Sequence, residues 1–556
     1  MFVSTRFFGL FSRLAAIASL LFLGACSVPP PKPPVRELPP PATALLSLAP
    51  NSYGQNTAVN LPGDVGSGMA QAAFAGMAGP TASHESELDL VAAVVGKTFA
   101  EAGELPARTL LTWLYWKCGA GSSPGPVNVL VAPATAEGYF KQHLQAMAAI
   151  VPAAKAPMTY GVARIQVGEN VVQAVALGIR NARFTPIAKS QTPGSTVPVR
   201  VTLERPFSDL NLYVDQGGPE VLKVPMTKEA DGSYAANAPI PSTPGRYFLE
   251  VVGMRTPAEG SSDRGWLSSL VWLPVYAGAA EPTEPDEFIR HPPKNHPDAA
   301  AWPTQIIAAY NEARTRLGRT PLQPEQAATA IAQERSQQLA SVSQLPPADF
   351  NLPQRMADAG LPPRNMHGYV DQFEYVSEYI TLHLLQPAAR YALYNPDMTT
   401  IALGLSARTA APLGMWSSAE YVFEIIRVDP PRERERLLGL LDAARGAAVA
   451  PGSTFTRDAG LTKAAQETAD AVCKGGALPT DAKAVFAKAG ALDPSLRDRL
   501  GVPWTGYDFG SGDAAAIVEK TKKFTHAGAG VCQGNVDGLK NGVMVLLLFA
   551  GPLDQP

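Results

Sequence analysis

Serines in a glycine frame, paired carboxylates, histidines and cysteines are the side chains of this sequence that could do chemistry. Gly121-Ser122-Ser123-Pro124-Gly125 satisfies the G-x-S-x-G pattern of serine hydrolases. That pattern works when a strand enters a strained turn, serine sits at its tip and a helix leaves. Here an aromatic helical run, Arg108 to Trp116, enters and a Pro-Gly-Pro-Val strand leaves, so the segment reads as a loop. Glu374 and Glu378 lie one helical turn apart and would suit acid–base work if they shared a cleft. On a solvated helix face they would be ordinary surface charges. His291 and His296 fall in a proline-rich stretch with no carboxylate triad or HExxH helix around them. Of the four cysteines, Cys473 and Cys532 fall in one C-terminal segment and are the expected disulfide. Cys118, beside Trp113, Tyr115 and Trp116, reads as a buried free thiol. There is no P-loop, dinucleotide fingerprint, CxxC pair or EF-hand loop.

The fourth cysteine has a different setting. Arg6 and Arg13 precede an apolar run, Leu14 to Leu23, that closes on Leu23-Gly24-Ala25-Cys26. A basic start, a short apolar core and a small-residue exit describe a secretory signal, and the run is shorter than the roughly 20 apolar residues of a membrane span. Leu-Gly-Ala-Cys resembles the lipobox of bacterial lipoproteins. The resemblance implies that residues 1–25 are removed and that Cys26 becomes the acylated first residue. Ser27, in place of aspartate, then points to the outer membrane, facing periplasm or cell surface. Several acyl chains give a lasting anchor where one does not.

The elements that must position these groups follow from composition and periodicity. The chain has 556 residues, too many for one hydrophobic core, and only 17% are charged. A net charge of -3 argues against a nucleic-acid partner, which would need a basic face. Residues 26–82 read as a Pro/Gly/Ala-rich tether, with PPPKPP stiff and 51–83 loosely ordered. Residues 83–188 alternate helices with strands and end in a hairpin, YGVARIQV and NVVQAVALGI, turning at Gly168-Glu169-Asn170. Residues 190–280 read as short strands with turns at Gly217-Gly218 and Asp231-Gly232. Their spacing is similar to that of an immunoglobulin-like sandwich. A linker covers 281–300. From 301 to 430 helices precede the strands IALGLSA and EYVFEIIRV, and 431–556 repeats that order, ending in GAGVCQG and GVMVLLLFAG.

Ile306 to Val428 resembles the CAP superfamily of cysteine-rich secretory proteins, antigen 5 and pathogenesis-related proteins, in its short bacterial form. The resemblance rests on YNEARTRLG, the Ala-rich AATAIAQERSQQLA, and QPAARYALYNPDMTTIALGL. In that last run Gln386-Pro387 stands for the family's Ser-Pro, Arg390 for its arginine, Asn395-Pro396 for Asp-Pro, and Ile401 to Gly404 for its glycine strand. The departures fall on the site. Ala389 stands where the family has histidine, and its Glu-Asn pair, which precedes a helix, falls on His367-Gly368. The helix tryptophan falls near His383, and no histidine lies between Gln333 and Leu361. Metal binding needs several ligands converging. His367, His383, Glu374 and Glu378 are the substitutes available.

The expected fold is therefore multidomain α/β: up to three divergent CAP-like α-β-α sandwich modules and one β-sandwich. The expected role is a lipid-anchored envelope protein that binds or scaffolds without catalysis and without a cofactor. Its partners would be the membrane through acyl chains, and peptidoglycan, lipid, polysaccharide or an envelope protein. An envelope hydrolase with a rearranged His/Glu site, or a structural spacer, are the alternatives.

Overall fold

The computed structural model describes residues 2–4, 33–153, 156–255, 267–342, 351–409, 415–477, 482–489 and 497–552. Cys26 lies outside them. The chain divides into two compact units: residues 1–324, 332–350 and 367–422 form one, and 325–331, 351–366 and 423–556 the other. It is a mixed α/β protein of several sheets and helices.

One sheet topology occurs in three segments. Its first example orders the strands Ala82–His84, Met158–Val167, Asn170–Ile179 and Ser123–Pro133, with Phe2–Ser4 on the outer edge. The second orders Gln323–Pro324, Thr400–Ala407, Trp416–Ile425 and Pro363–Phe373. The third orders Thr456–Arg457, His526–Val536, Leu539–Gly551 and Asp498–Gly506. In each the short first strand runs parallel to its neighbour and feeds a helix: Ser86–Ala102, Gln326–Ser341 or Ala459–Cys473.

Each helix crosses its sheet at a glycine. A Cβ added to Gly161, Gly404 or Gly530 would lie 2.1, 2.2 or 2.2 Å from the backbone carbon of Leu88, Ala332 or Ala465 respectively. No side chain fits there, which fixes the glycine. The next helix residue then grips the next strand residue. Asp89 accepts from the Val162 N–H at 2.8 Å. Gln333 accepts from the Leu405 N–H at 3.1 Å and donates to its carbonyl at 3.0 Å. Gln466 treats Val531 the same way, at 3.1 and 2.7 Å.

The central strands of these sheets are covered on both faces, which is why Asn170–Ile179 and Leu539–Gly551 read as nearly continuous apolar runs. In Leu539–Gly551, Val543, Val545, Leu547 and Phe549 share a core with the helices Pro430–Ala448 and Ser511–Thr521. The alternate residues Met544, Leu546, Leu548 and Ala550 pack with Ala459–Cys473. The period-2 alternation of a strand makes both layers possible from one run.

Residues 182–277 form two further sheets. One orders Thr227–Lys228, Tyr234–Pro239, Thr196–Leu203 and Ala182–Phe184; the other orders Val221–Pro225, Phe207–Asp215, Gly245–Arg255, Leu267–Ala277 and Ser190–Gln191. Val197, Val199 and Val201 from the first share a core with Leu212, Val214, Leu249 and Val251 from the second. The turns read at Gly217-Gly218 and Gly232 have φ of 80°, 64° and 82°, conformations that glycine adopts without strain.

Residues 33–82 differ from the expected tether. Pro40–Thr43 and Ser67–Ala78 are helices, Ser52–Tyr53 pairs with Ile187–Ala188, and Leu45, Leu46, Tyr53 and Phe74 are buried. The physical reason lies in spacing. Ala70, Phe74 and Ala78 recur every four residues in the Gly/Ala-rich stretch and give one helix face to bury.

Candidate functional site

The segment after Gln386 forms the short helix Pro387–Leu393, most of whose side chains are buried. Its N-terminal N–H groups need acceptors, and Glu250 from the strand Gly245–Arg255 supplies one of them. Glu250 accepts from the Ala388 N–H at 2.8 Å and from the Gln386 side chain at 2.6 Å. Arg390 donates to Asp215 at 2.9 Å and also to the Gly218 carbonyl. Tyr213 stacks edge-on to Tyr391, with ring centres 5.4 Å apart, and packs with Val252 against Ala388. Glu250 is fully buried, and that burial raises its pKa to about 7 despite its hydrogen bonds.

The four candidate metal ligands are divided. His367 lies in the strand Pro363–Phe373, not ahead of a helix, and packs edge-on to Tyr391 at 6.0 Å. Burial lowers its pKa, with Lys223 adding to the effect. His383 points into the core beneath Tyr379, ring centres 4.1 Å apart. Its Nδ1 lies 3.2 Å from the Tyr310 hydroxyl. The Tyr310 hydroxyl donates to Glu420 at 3.0 Å, and Tyr379 donates to the same carboxylate oxygen at 2.8 Å. Burial, followed by the charge of Glu420, pushes both tyrosines well above their ordinary pKa. Glu374 and Glu378 lie elsewhere, in a recess that Pro34, Val95, Leu111, Val127 and Met415 also line. Among the described residues no group of three or more His, Cys, Asp or Glu is placed to hold a metal ion.

The recess holds one polar group of note. Glu378 is 2% exposed, and its Oε1 has no hydrogen-bond partner. Burial raises its pKa to about 7, against lowering by Arg36 and Arg108.

Serine chemistry finds no support at the glycine frame. The Gly121 and Ser122 N–H groups donate to Glu85, at 2.5 and 3.4 Å, and Ser123 opens a strand. The helix-to-strand order is the reverse of a nucleophile elbow. Cys473 and Cys532 are bonded. Cys118 is free and buried, and desolvation raises its thiol pKa to about 12, the thiol form being poorly nucleophilic.

Glu250 and Glu420 were missed from the sequence, yet both carry a signal. Each is a lone carboxylate inside an apolar strand run, YFLEVVG and SSAEYVF. A charge there must be bonded, because burying it alone is costly.

No family model and no curated protein matches the chain. A crystal structure of a cysteine-rich secretory protein from Staphylococcus aureus is similar to it over 48% of this chain and 83% of that one, at 14% identity and a TM-score of 0.18.

Proposed function

We propose that this is a lipid-anchored envelope protein, built of three divergent CAP-like modules and an immunoglobulin-like domain, that binds or scaffolds an envelope component and does not hydrolyse it. One observation carries the non-catalytic reading. Glu250 and Asp215 hold Ala388 and Arg390, so the turn that bears the family's ligand is an internal joint of the protein. The recurrence of one strand order and one glycine crossing supports the three modules. The anchor rests on the Leu23 to Cys26 sequence and its basic, apolar approach.

The test has two arms. Palmitate labelling and membrane fractionation of the wild type and Cys26→Ala should show label and membrane retention only with cysteine. Labelling that survives the substitution overturns the anchor. The detergent-purified protein should then be retained on isolated peptidoglycan sacculi or on outer-membrane lipid vesicles. Retention on neither overturns binding in favour of a spacer.

A further inference from the structure

Among the described residues, only the first of the three like sheets carries a fifth strand. Phe2–Ser4 lies antiparallel on the outer edge of Ser123–Pro133, with Phe2 opposite Val131, Val3 opposite Leu130 and Ser4 opposite Val129. The proposed cleavage ahead of Cys26 removes these three residues with the rest of 1–25. In the mature chain Ser123–Pro133 then becomes an edge strand. Every second residue of such a strand turns an N–H and a carbonyl outward without a partner.

Native edge strands are normally blunted by charge or proline, which keeps them from pairing with other chains. The strands at the equivalent ends of the other two sheets follow that rule. Pro363–Phe373 carries Arg364 and Asp371, and Asp498–Gly506 carries Asp498, Arg499 and Pro503. Ser123–Pro133 does not. It has no charged residue, and its run from Val127 to Ala132 has no proline. Pro126 and Pro133 bound that run, and six residues between them make an edge roughly 20 Å long.

We propose that the vacated edge pairs with the same strand of a second copy of the mature chain, an inference that rests on the proposed removal of residues 1–25. The run is self-complementary. Antiparallel pairing about Leu130 sets the two Leu130 residues opposite each other and Val129 of each copy opposite Val131 of the other. That register is the one Phe2–Ser4 already occupies, centred on Leu130. It places a two-fold axis at Leu130, and the four remaining strands of each copy join into one sheet of eight. Main-chain hydrogen bonds supply the attraction, as in other strand additions, and the uncharged side chains set no like charges against each other. Anchoring both copies in one membrane raises their local concentration.

The experiment begins with the intact mass of the detergent-purified protein, which should show a chain starting at acylated Cys26. Sedimentation in density-matched detergent should then give twice the mass of one chain. Amide exchange across Val127–Ala132 should slow as the wild-type protein dimerises, a reading that needs no variant. Leu130→Cys should form an intermolecular disulfide under mild oxidation, because the axis brings the two positions within roughly 5 Å. Ser123→Cys should not, since antiparallel pairing carries the strand ends apart; the wild type, with Cys118 buried, sets the background. A mature chain that stays monomeric at about 50 µM overturns the proposal and leaves the cleavage standing. A mass that still includes Phe2 overturns both, because the edge then keeps its own strand. A dimer whose exchange across Val127–Ala132 is no slower than the monomer's uses another surface and overturns the pairing.

Discussion

Arg390 and Asp215 form an ion pair of 2.9 Å whose side chains are only 10% and 8% exposed. The pair joins the Pro387–Leu393 helix to a sandwich strand, and Glu250 reinforces it by holding the helix N-terminus. The central strand Gly245–Arg255 is buried on both faces, with Glu250 and Val252 against Ala388 and Phe248 against Trp116, unlike Thr196–Leu203, which alternates buried and exposed.

Removing one partner of a buried pair strands the other charge. Arg390→Met should therefore destabilise the protein by about 3 kcal/mol or more, whereas Arg390→Met with Asp215→Leu should recover much of the loss. Chemical unfolding followed by tryptophan fluorescence checks this. Equal losses in the single and double variants would deny the pair its role.

Gln466 holds both backbone groups of Val531. Gln466→Ala should cost about 1–3 kcal/mol by leaving a buried N–H and carbonyl unbonded. Gly530→Ala should be worse, since its Cβ would meet Ala465 at 2.2 Å and backbone would have to move. Amide hydrogen exchange at Val531 reads the local effect: faster exchange in Gln466→Ala is expected, and unchanged protection would refute the clamp.

Stability should fall as pH rises from about 4.5 to about 7, because Glu250 has its pKa raised from 4.5 to about 7 in the folded protein. In that window the folded state binds more protons than the unfolded one, and each unit of pH removes stability. Glu378 acts in the same direction. Glu250→Gln keeps hydrogen-bonding capacity without the buried charge and should flatten the slope. Thermal midpoints of both proteins across pH 5 to 8 decide the matter; parallel curves would be the contrary result.

The disulfide Cys473–Cys532 closes a loop of 59 residues. On the chain-entropy account, replacing both cysteines by serine should lower stability by about 4 kcal/mol. Cys118, buried with its thiol pKa near 12, should resist iodoacetamide in the native protein and react on unfolding. Mass spectrometry of the alkylated protein measures that difference; native labelling of Cys118 would count against it.

The sequence by itself determined the strands and helices that carry strong periodicity. The hairpin at Gly168 joins Met158–Val167 to Asn170–Ile179, and the two C-terminal strands lie where the runs GAGVCQG and GVMVLLLFAG place them. Strands rich in polar residues, Pro363–Phe373 and Asp498–Gly506, were not legible, because half-exposed edge positions leave little apolar pattern. Tertiary structure alone decided the sites. Glu378 and His383 sit five residues apart on one helix, so one reaches the recess and the other the Tyr310–Glu420 network. Glu250, Asp215 and Arg36 acquire meaning only from residues more than a hundred positions away. Local periodicity reports which face of an element is buried. What it is buried against depends on chain-distant packing, and that is where the chemistry of this protein is placed.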